Sequence, residues 1–451
     1  MSIRIGAAQG FSNDDPRGTR EIVEEGVDYI CCEALAEITL TMMYRERQRD
    51  ERAGYAQDVS AVAEIALPAL GRGARRLITN AGALNPFGAR EAVRTVARRL
   101  GVDGLRLGVV LGADLTGRLH DLSASGVDLR HADTGEHLDS LEDVEFAAAY
   151  LGAYPIVEAL SDGADVVITG RVADTSLFMA PAIFELGVAR DDWVRLGRLA
   201  IVGHLMECSS QVTGGNFSGR WWDVPRLDAI GFPIAEVNDN CEAVLTKPRG
   251  SGGLVSTDTV KEQLLYEVGD PTRYLTPDVT ADMTSVTLNN IGPDRVHLGG
   301  AHGTAATDSY KVILSRPAGW TAAVGVTYTY PHALAKARAA AEVLNRRLDR
   351  AGFKPLETRV EYVGAGALFG EADDDADPPE VVLRYAVRCR SPQEAAAIFQ
   401  ERLTGLSVAG PPGSAASGIG TSAPAPASVI WPALVPKELV DPHVRVVVED
   451  L

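Results

Sequence analysis

The sequence predicts an α/β protein with a doubly wound, mainly parallel sheet, a mixed α/β central section and a small C-terminal ferredoxin-like α+β domain. In residues 1–190, short β-rich segments alternate with helical stretches, as in sheets built from parallel strands. Residues 191–352 mix both patterns with glycine-rich loops, and we place them in the same domain, 1–352, as a central extension. Residues 353–451 have the pattern of a separate small module.

The elements of the first part are assigned from hydrophobic periodicity. Strands are predicted at residues 3–8, 27–32, 76–79, 105–111 and 165–169. Helices are predicted at residues 58–70, 89–100 and 141–160. Because crossovers between parallel strands are right-handed, this alternation gives either an open doubly wound sheet or a barrel, and we favour the open sheet.

The C-terminal module is assigned in the same way. Strands are predicted at residues 358–363, 381–388 and 444–448, and a helix is predicted at residues 392–405. This set of elements favours a small ferredoxin-like fold.

The composition argues against nucleic-acid and membrane partners. The chain has 451 residues, and 61 acidic against 43 basic side chains give a formal charge of −18, whereas surfaces that bind phosphate backbones are basic. We expect no membrane span, because no apolar segment of about 18 residues occurs, and no export signal. Five cysteines without framework spacing favour a reducing, cytoplasmic setting. A homo-oligomer is expected for an enzyme of this size.

Residues 203–216 concentrate reactive side chains in an otherwise apolar or glycine-rich segment. If the segment up to Cys208 is helical, His204 and Glu207 share one helix face and could form an acid/base pair. The following loop, with Thr213, Gly214 and Gly215, could present backbone N–H groups to an anion. The alternative is that His204 and Glu207 satisfy each other beneath a glycine turn. We predict no metal site, because the spacing is not that of the His-Glu-x-x-His helix.

Polar residues follow the predicted strands, at the edge where parallel sheets bind ligands. They include Glu33 after the second strand, Asn80 and Asn85 after the third, and Arg171 with Asp174 after the fifth. Each of them could instead be an ordinary turn or helix-cap residue. Arg171 either pairs with Asp174 or binds a ligand carboxylate or phosphate.

A second glycine-rich segment, residues 246–253, carries Lys247 and Arg249 and precedes a helix start. It is either an anion cradle for a coenzyme A phosphate or a substrate carboxylate, or an ordinary mobile loop. It is not a Walker loop, and the first strand lacks a dinucleotide fingerprint, so no cofactor is firmly predicted. Lys311 lies in a strand that could turn it inward or outward, and we interpret it as a solvated lysine.

The chain resembles the acyclic terpene utilisation protein family, AtuA, over residues 3–350. The matching segments are NAGALNP at 80–86, GADVVITGRVAD at 163–174, GHLMEC at 203–208, QVTGG at 211–215, KEQLLYE at 261–267 and YLTPDV at 274–279. The resemblance implies catabolism of branched acids through acyl-CoA intermediates, with a ferredoxin-like domain often fused at the C-terminus. One departure is the first loop, where an arginine would directly follow the acidic pair Asp14-Asp15; here Arg17 comes only after Pro16.

We therefore expect a lyase or hydratase that acts on a branched carboxylic acid or its acyl-CoA thioester. Chemistry next to a carbonyl needs a base near neutral pKa and donors aimed at the oxygen that gains charge. The catalytic candidates are His204, Glu207, Glu33 and Asp174. The substrate-binding candidates are Arg171, Asn80, Asn85, Thr213, Gly214, Gly215, Lys247 and Arg249.

Two other functions fit the sequence. The chain could be a non-catalytic binding or scaffold subunit of an acyl-CoA pathway complex, with the C-terminal module as its docking surface. It could also be a hydrolase with Cys208, Ser209 or Ser210 as nucleophile, although none of these lies in a Gly-x-Ser-x-Gly elbow.

Overall fold

The computed structural model is a mixed α/β protein, as predicted, and describes residues 2–70, 76–370, 377–406, 408–415 and 418–451. The chain forms two compact units. Unit 1 comprises Met1–Ser315 with Ile430–Leu451, and unit 2 comprises Arg316–Val429.

The strands and helices are numbered in chain order. The strands are β1 Ile3–Gln9, β2 Tyr29–Cys32, β3 Arg76–Ala83, β4 Arg106–Leu111, β5 Phe146–Ala149, β6 Val166–Gly170, β7 Ile234–Val237, β8 Ala243–Thr246, β9 Tyr274–Leu275, β10 Thr280–Asp282, β11 Thr287–Gly292, β12 Arg295–Gly299, β13 His302–Thr304, β14 Ser309–Thr329, β15 Glu357–Val363, β16 Glu380–Cys389, β17 Ser414–Ala415, β18 Ser422–Pro436 and β19 Arg445–Asp450. The helices are α1 Pro16–Glu25, α2 Glu37–Arg49, α3 Val59–Ala66, α4 Pro86–Leu100, α5 Leu119–Ala124, α6 Tyr154–Ser161, α7 Asp174–Leu186, α8 Trp193–Glu207, α9 Thr257–Leu265, α10 Ala333–Arg350, α11 Pro392–Leu406 and α12 Lys437–Val440.

Unit 1 is built on a ten-stranded sheet in the order β11-β12-β8-β7-β1-β2-β3-β6-β4-β19. The five inner strands, β1-β2-β3-β6-β4, are parallel, and they are the five strands predicted from residues 1–190. The flanking strands pair antiparallel. The sheet is therefore less parallel than predicted, because strands of the central section extend the same sheet and do not form a section of their own.

The helices of unit 1 pack in two apolar clusters. One contains buried side chains of α1, α3 and α4, and the other contains those of α6, α7 and α8. Local signals set the helix starts: the Asp15 side chain accepts from the backbone N–H of Arg17 at the start of α1, and Pro16 occupies the first helical position.

The predicted helix at residues 141–160 is wrong in its first half. Residues Phe146–Ala149 form β5, which pairs antiparallel with residues 312–315 of β14. The helix α6 begins only after Gly152, where an added Cβ would lie 2.3 Å from Asp278 Oδ1. Pairing with a strand more than 160 residues away outweighs the helix propensity of three successive alanines.

Unit 2 is built on the second half of β14 and has its own apolar cluster. Residues 320–329 of β14 pair with β16, which also pairs with β15, and Tyr328 of β14 pairs with Ser414 of β17; each pairing is antiparallel. Side chains of α10 and α11 pack on this sheet. The unit begins 37 residues earlier than the predicted boundary at 353, at residue 316.

The last predicted strand lies elsewhere than expected. The prediction placed residues 444–448 in the small C-terminal module, but β19 pairs with β4 at the edge of the unit 1 sheet. Its side chains Val446 and Val448 pack against the larger apolar cluster of unit 1. Within the described residues, no helix combines the length and the apolar character needed to cross a membrane.

Candidate active site

A cleft of about 500 Å³ opens in unit 1 where several strands and helices end. Its lining includes Gly10 directly after β1, Glu33 directly after β2 and Arg171 directly after β6. Asp174 at the start of α7 and Glu207 at the end of α8 complete its polar wall. Parallel strands end at one edge of the sheet, which brings together side chains that are far apart in sequence.

Arg171 is the buried centre of one charge cluster. Its side chain is only 2% exposed, and its Nη2 lies 2.8 Å from Asp174 Oδ1. Its Nη1 lies 3.4 Å from Glu33 Oε1 and donates to the Leu35 carbonyl at 2.7 Å. The guanidinium also lies over the Tyr150 ring at 4.0 Å. The alternative in which Arg171 pairs with Asp174 is therefore observed; Arg171 also lines the cleft, and its binding of a ligand anion stays a prediction.

The two carboxylates beside Arg171 hold protons more tightly than usual. Burial is the largest cause and raises the pKa of Glu33 well above its ordinary value; Asp174 raises it further, and Arg171 opposes the shift. Burial likewise raises the pKa of Asp174 against the opposing effect of Arg171. The Glu33 carboxylate is fixed by the Leu35 backbone N–H and by Asn80 Nδ2 at 2.7 Å, whereas the Asp174 side chain is 32% exposed. Two acids and one buried cation can therefore store a proton at the cleft.

His204 and Glu207 form a second titrating pair. His204 Nδ1 lies 2.9 Å from Glu207 Oε1, one helical turn along α8. Burial raises the pKa of Glu207 to about 7, although His204 acts to lower it. Burial alone would lower the pKa of His204, but Glu207 outweighs it and raises that pKa. Glu207 lines the cleft, whereas His204 lies behind it with its side chain 1% exposed.

The first loop meets the segment after α8 at the cleft. The backbone of Ser209 has φ of 41°, a strained conformation for a residue with a side chain. A Cβ on Gly10 would lie 2.8 Å from the Ser209 backbone nitrogen, so only glycine permits this approach. Asp14 accepts from the Gly10 backbone N–H. Arg17, the residue displaced by Pro16, binds Glu21 and the Ile230 carbonyl and is not among the cleft residues.

Another part of the cleft lining contains Glu37, Tyr150 and Lys311, which were not among the predicted site residues. Tyr150 Oη donates to Glu37 Oε1 at 2.6 Å, and Lys311 Nζ lies 3.3 Å from the same oxygen. Lys311 Nζ also lies 4.7 Å from the centre of the Tyr150 ring. Glu37 follows the second predicted strand, which was a usable signal. Tyr150 was missed because β5 was assigned to a helix.

Several predicted substrate-binding residues have structural roles. Asn80 is fully buried and binds Glu33 and the Ala34 backbone N–H, so it positions an acid and does not line the cleft. Asn85 is the N-cap of α4, and its amide donates to the Ala53 carbonyl. The alternative of a helix cap is observed for Asn85, which does not line this cleft.

The glycine loop after α8 offers no anion pocket to this cleft. The backbone N–H of Gly214 donates to the Gln211 carbonyl, and that of Gly215 donates to the Ser210 carbonyl. The Thr213 hydroxyl donates to the Gly231 carbonyl at 2.7 Å. The two backbone donors are used within the loop, because the chain turns back on itself between residues 210 and 215, and the Thr213 hydroxyl is used by a carbonyl outside it.

The two basic side chains of the predicted anion cradle at residues 246–253 pair within the protein. Lys247 is buried, and its Nζ lies 3.2 Å from Asp294 Oδ2. The same Nζ donates a hydrogen bond to the Ser251 carbonyl at 3.1 Å. Arg249 is exposed and pairs with Glu25. Neither residue lines the cleft, because β8 carries this loop into the antiparallel part of the sheet.

One family profile matches nearly the whole chain: the family described as Acyclic terpene utilisation family protein AtuA, over residues 3–446. The chain belongs to this family. The match continues beyond residue 350, the limit of the predicted resemblance, and includes unit 2. Comparisons with curated proteins and with solved structures gave no match.

Membership in the AtuA family is consistent with a role in the catabolism of acyclic terpenes. The mouth of the cleft has exposed apolar side chains, Phe11, Tyr266 and Leu275, beside its polar wall. In the part of the chain that the structure describes, no group of three His, Cys, Asp or Glu side chains is arranged to hold a metal ion. The acid/base pair and the charge cluster are titratable groups at the cleft from which chemistry can be argued.

Proposed function

We propose that this AtuA protein is a lyase or hydratase that adds water to, or removes it from, a branched carboxylic acid or its thioester. The observation that carries the proposal is Glu207, a cleft carboxylate whose pKa is raised to about 7 by burial. A base is most effective when its pKa lies near the working pH, and this environment provides such a group. His204, hydrogen-bonded at 2.9 Å behind it, acts as a positioning residue.

The second requirement is a proton donor, and the pair Glu33 and Asp174 supports that role. Burial raises the pKa values of both acids, which favours their protonated forms, and Asp174 is accessible from the cleft. Arg171 holds both carboxylates, so the donor is restored in the same geometry after each turnover.

In the proposed dehydration, the protein takes one proton from the substrate and gives one proton to the leaving group. Glu207 takes the proton from the carbon next to the carbonyl, and the electron pair of that C–H bond forms the new C=C bond. The C–O bond to the neighbouring hydroxyl group breaks, and Asp174 gives its proton to the departing oxygen, which leaves as water. Glu207 then loses its proton to solvent and the acid pair regains one, and the reverse sequence is hydration.

Hydrogen exchange tests the first step even while the product is unidentified. The protein is incubated in deuterated water with a panel of branched 3-hydroxy acids and their coenzyme A esters, and deuterium at the α-carbon is measured by mass spectrometry. We expect exchange that Glu207→Gln reduces by about 10² to 10⁴-fold, the usual contribution of a general base. The surface variant Glu136→Gln serves as control and should exchange at the wild-type rate. Absence of exchange across the panel would contradict the proposal.

The scaffold function remains a second candidate because of one feature of unit 2. Leu368 and Phe369 are almost fully exposed next to each other, as in a segment that docks on a partner. Native mass spectrometry with co-purified pathway proteins distinguishes the two: a stable hetero-complex without any exchange activity favours the scaffold.

A Cys208 hydrolase has less support, because burial raises the pKa of the thiol and disfavours its nucleophilic thiolate.

We further propose a doubly wound arrangement for the parallel part of unit 1 and a ferredoxin-like fold for unit 2. The first is supported by helices in two apolar clusters that share strands of one sheet. The second is supported by the order β15-β16-β14-β17, with α10 after β14 and α11 after β16. Five unpaired thiols support a cytoplasmic location.

A further inference from the structure

We propose that Lys311, held by Glu37 and Tyr150, is the binding site for a free carboxylate head group, so that the cleft takes the acid and not its coenzyme A ester. This inference rests on the proposed function and names its substrate class. It assigns a role to the wall of the cleft that the proton-transfer argument does not use.

The other candidate cations are already paired within the protein. The Arg171 guanidinium is 2% exposed and faces Glu33, Asp174 and the Leu35 carbonyl. Lys247 and Arg249 are paired outside the cleft. Among the described residues that line the cleft, Lys311 is the remaining basic one, and its side chain is 49% exposed.

Lys311 is positioned and retains binding capacity. An ammonium group has three N–H donors, and the contact at 3.3 Å to Glu37 Oε1 uses one of them. Glu37 is itself fixed by the Tyr150 hydroxyl at 2.6 Å. Burial alone would raise the pKa of Glu37, but Tyr150 and Lys311 outweigh it and lower that pKa to about 2, so Glu37 stays ionised and keeps Lys311 in place.

The cleft lining has five acidic side chains, and Lys311 is its one exposed cation among the described residues, so it can hold one small anionic group at Lys311 and not the several charges of a nucleotide. Burial raises the pKa values of Glu33 and Asp174, which favours their neutral forms and weakens their repulsion of a carboxylate. A coenzyme A ester has no negative charge at its reacting end but several on its phosphates, which need several cations. The lining that the structure describes offers Lys311 alone for that purpose.

Calorimetric binding of matched probes tests the inference. The probes are 3-methylbutanoate, the isosteric neutral 3-methylbutanamide and 3-methylbutanoyl-coenzyme A. The proteins are wild type, Lys311→Met, Lys311→Arg and the control Lys261→Met, which removes an equally ion-paired lysine, 62% exposed on α9, outside the cleft. Lys311→Arg keeps the charge and so separates loss of the cation from a folding defect.

We expect wild type to bind the acid better than the amide, and Lys311→Met to bind the acid roughly ten- to hundredfold more weakly, as for loss of one charge-assisted hydrogen bond. Lys311→Arg should retain most of the binding, and Lys261→Met all of it. Tighter binding of the coenzyme A ester than of the acid, or no binding of the acid at millimolar concentration, would overturn the inference.

The two proposals fail separately. Binding of the acid that depends on Lys311 but is accompanied by no hydrogen exchange would retain the subsite and remove the lyase or hydratase function. Hydrogen exchange that depends on Glu207 but is equal in wild type and Lys311→Met would retain the lyase or hydratase function and remove the carboxylate subsite.

Discussion

Two basic segments of unit 1 looked alike in sequence and differ in the structure. Arg171 and the pair Lys247 and Arg249 each follow an apolar strand, and each is bordered by glycine. Arg171 lies at the cleft in a cluster with two acids of raised pKa. Lys247 is buried against Asp294, and Arg249 pairs on the surface with Glu25.

A basic side chain near a glycine loop therefore indicates an anion site only when its partners within the protein do not already neutralise its charge. At the cleft, the partners of Arg171 are two carboxylates of raised pKa, and one of them, Asp174, lines the cleft, so the cluster can move a proton. At residues 246–253, the partners neutralise the cations and fix the loop. Four predictions test this contrast, from the largest effect to the smallest.

Arg171→Met should produce the largest change. Removing one partner of a buried ion cluster leaves Glu33 and Asp174 without their cation, at a cost of about 3–5 kcal/mol in the free energy of unfolding. Urea denaturation measures it. A loss below about 1 kcal/mol would mean that the cluster is not buried and charged in solution.

Lys247→Met should cost less, because its partner Asp294 is partly exposed and can be solvated. We expect a loss of about 1–3 kcal/mol in the same denaturation experiment, from one charge-assisted hydrogen bond and one ion pair. Binding of 3-methylbutanoate should be unchanged. Weaker binding of 3-methylbutanoate by Lys247→Met would indicate that residues 246–253 form an anion site.

The pH dependence of exchange should reflect Glu207. A base must be ionised, so with a pKa of about 7 the rate should fall about tenfold per pH unit below that value and level off above it. His204 acts to lower this pKa, so His204→Gln should move the acid limb to higher pH. If the acidic side of the pH–rate profile is unchanged in both Glu207→Gln and His204→Gln, another group is responsible for the titration.

Arg249→Met should have the smallest effect. The Arg249 side chain is 91% exposed, and a surface ion pair of this kind contributes about 0–1 kcal/mol. The melting temperature and the affinity for 3-methylbutanoate should both match wild type. A measurable loss of affinity would place the loop nearer to the ligand than the cleft lining indicates.

Much of the fold was predictable, because its signals are local. The five parallel strands, the strands β15 and β16 and the helix α11 were predicted within a few residues. The missed strand β5 and the location of β19 share one cause: each is specified by pairing with a strand far away in the chain. The same cause explains the unit boundary, which follows pairing and not composition.

The sequence was sufficient to predict that His204 and Glu207 lie together, since residues three apart on a helix share one face. It also determined which polar residues follow the parallel strands. Which of those residues are accessible depends on contacts between distant parts of the chain, because Arg171 meets Glu33 from 138 residues away and Lys311 meets Glu37 from 274 residues away. The free energy of a charged side chain depends on its solvent exposure and its neighbours, and neither is a property of the adjacent sequence.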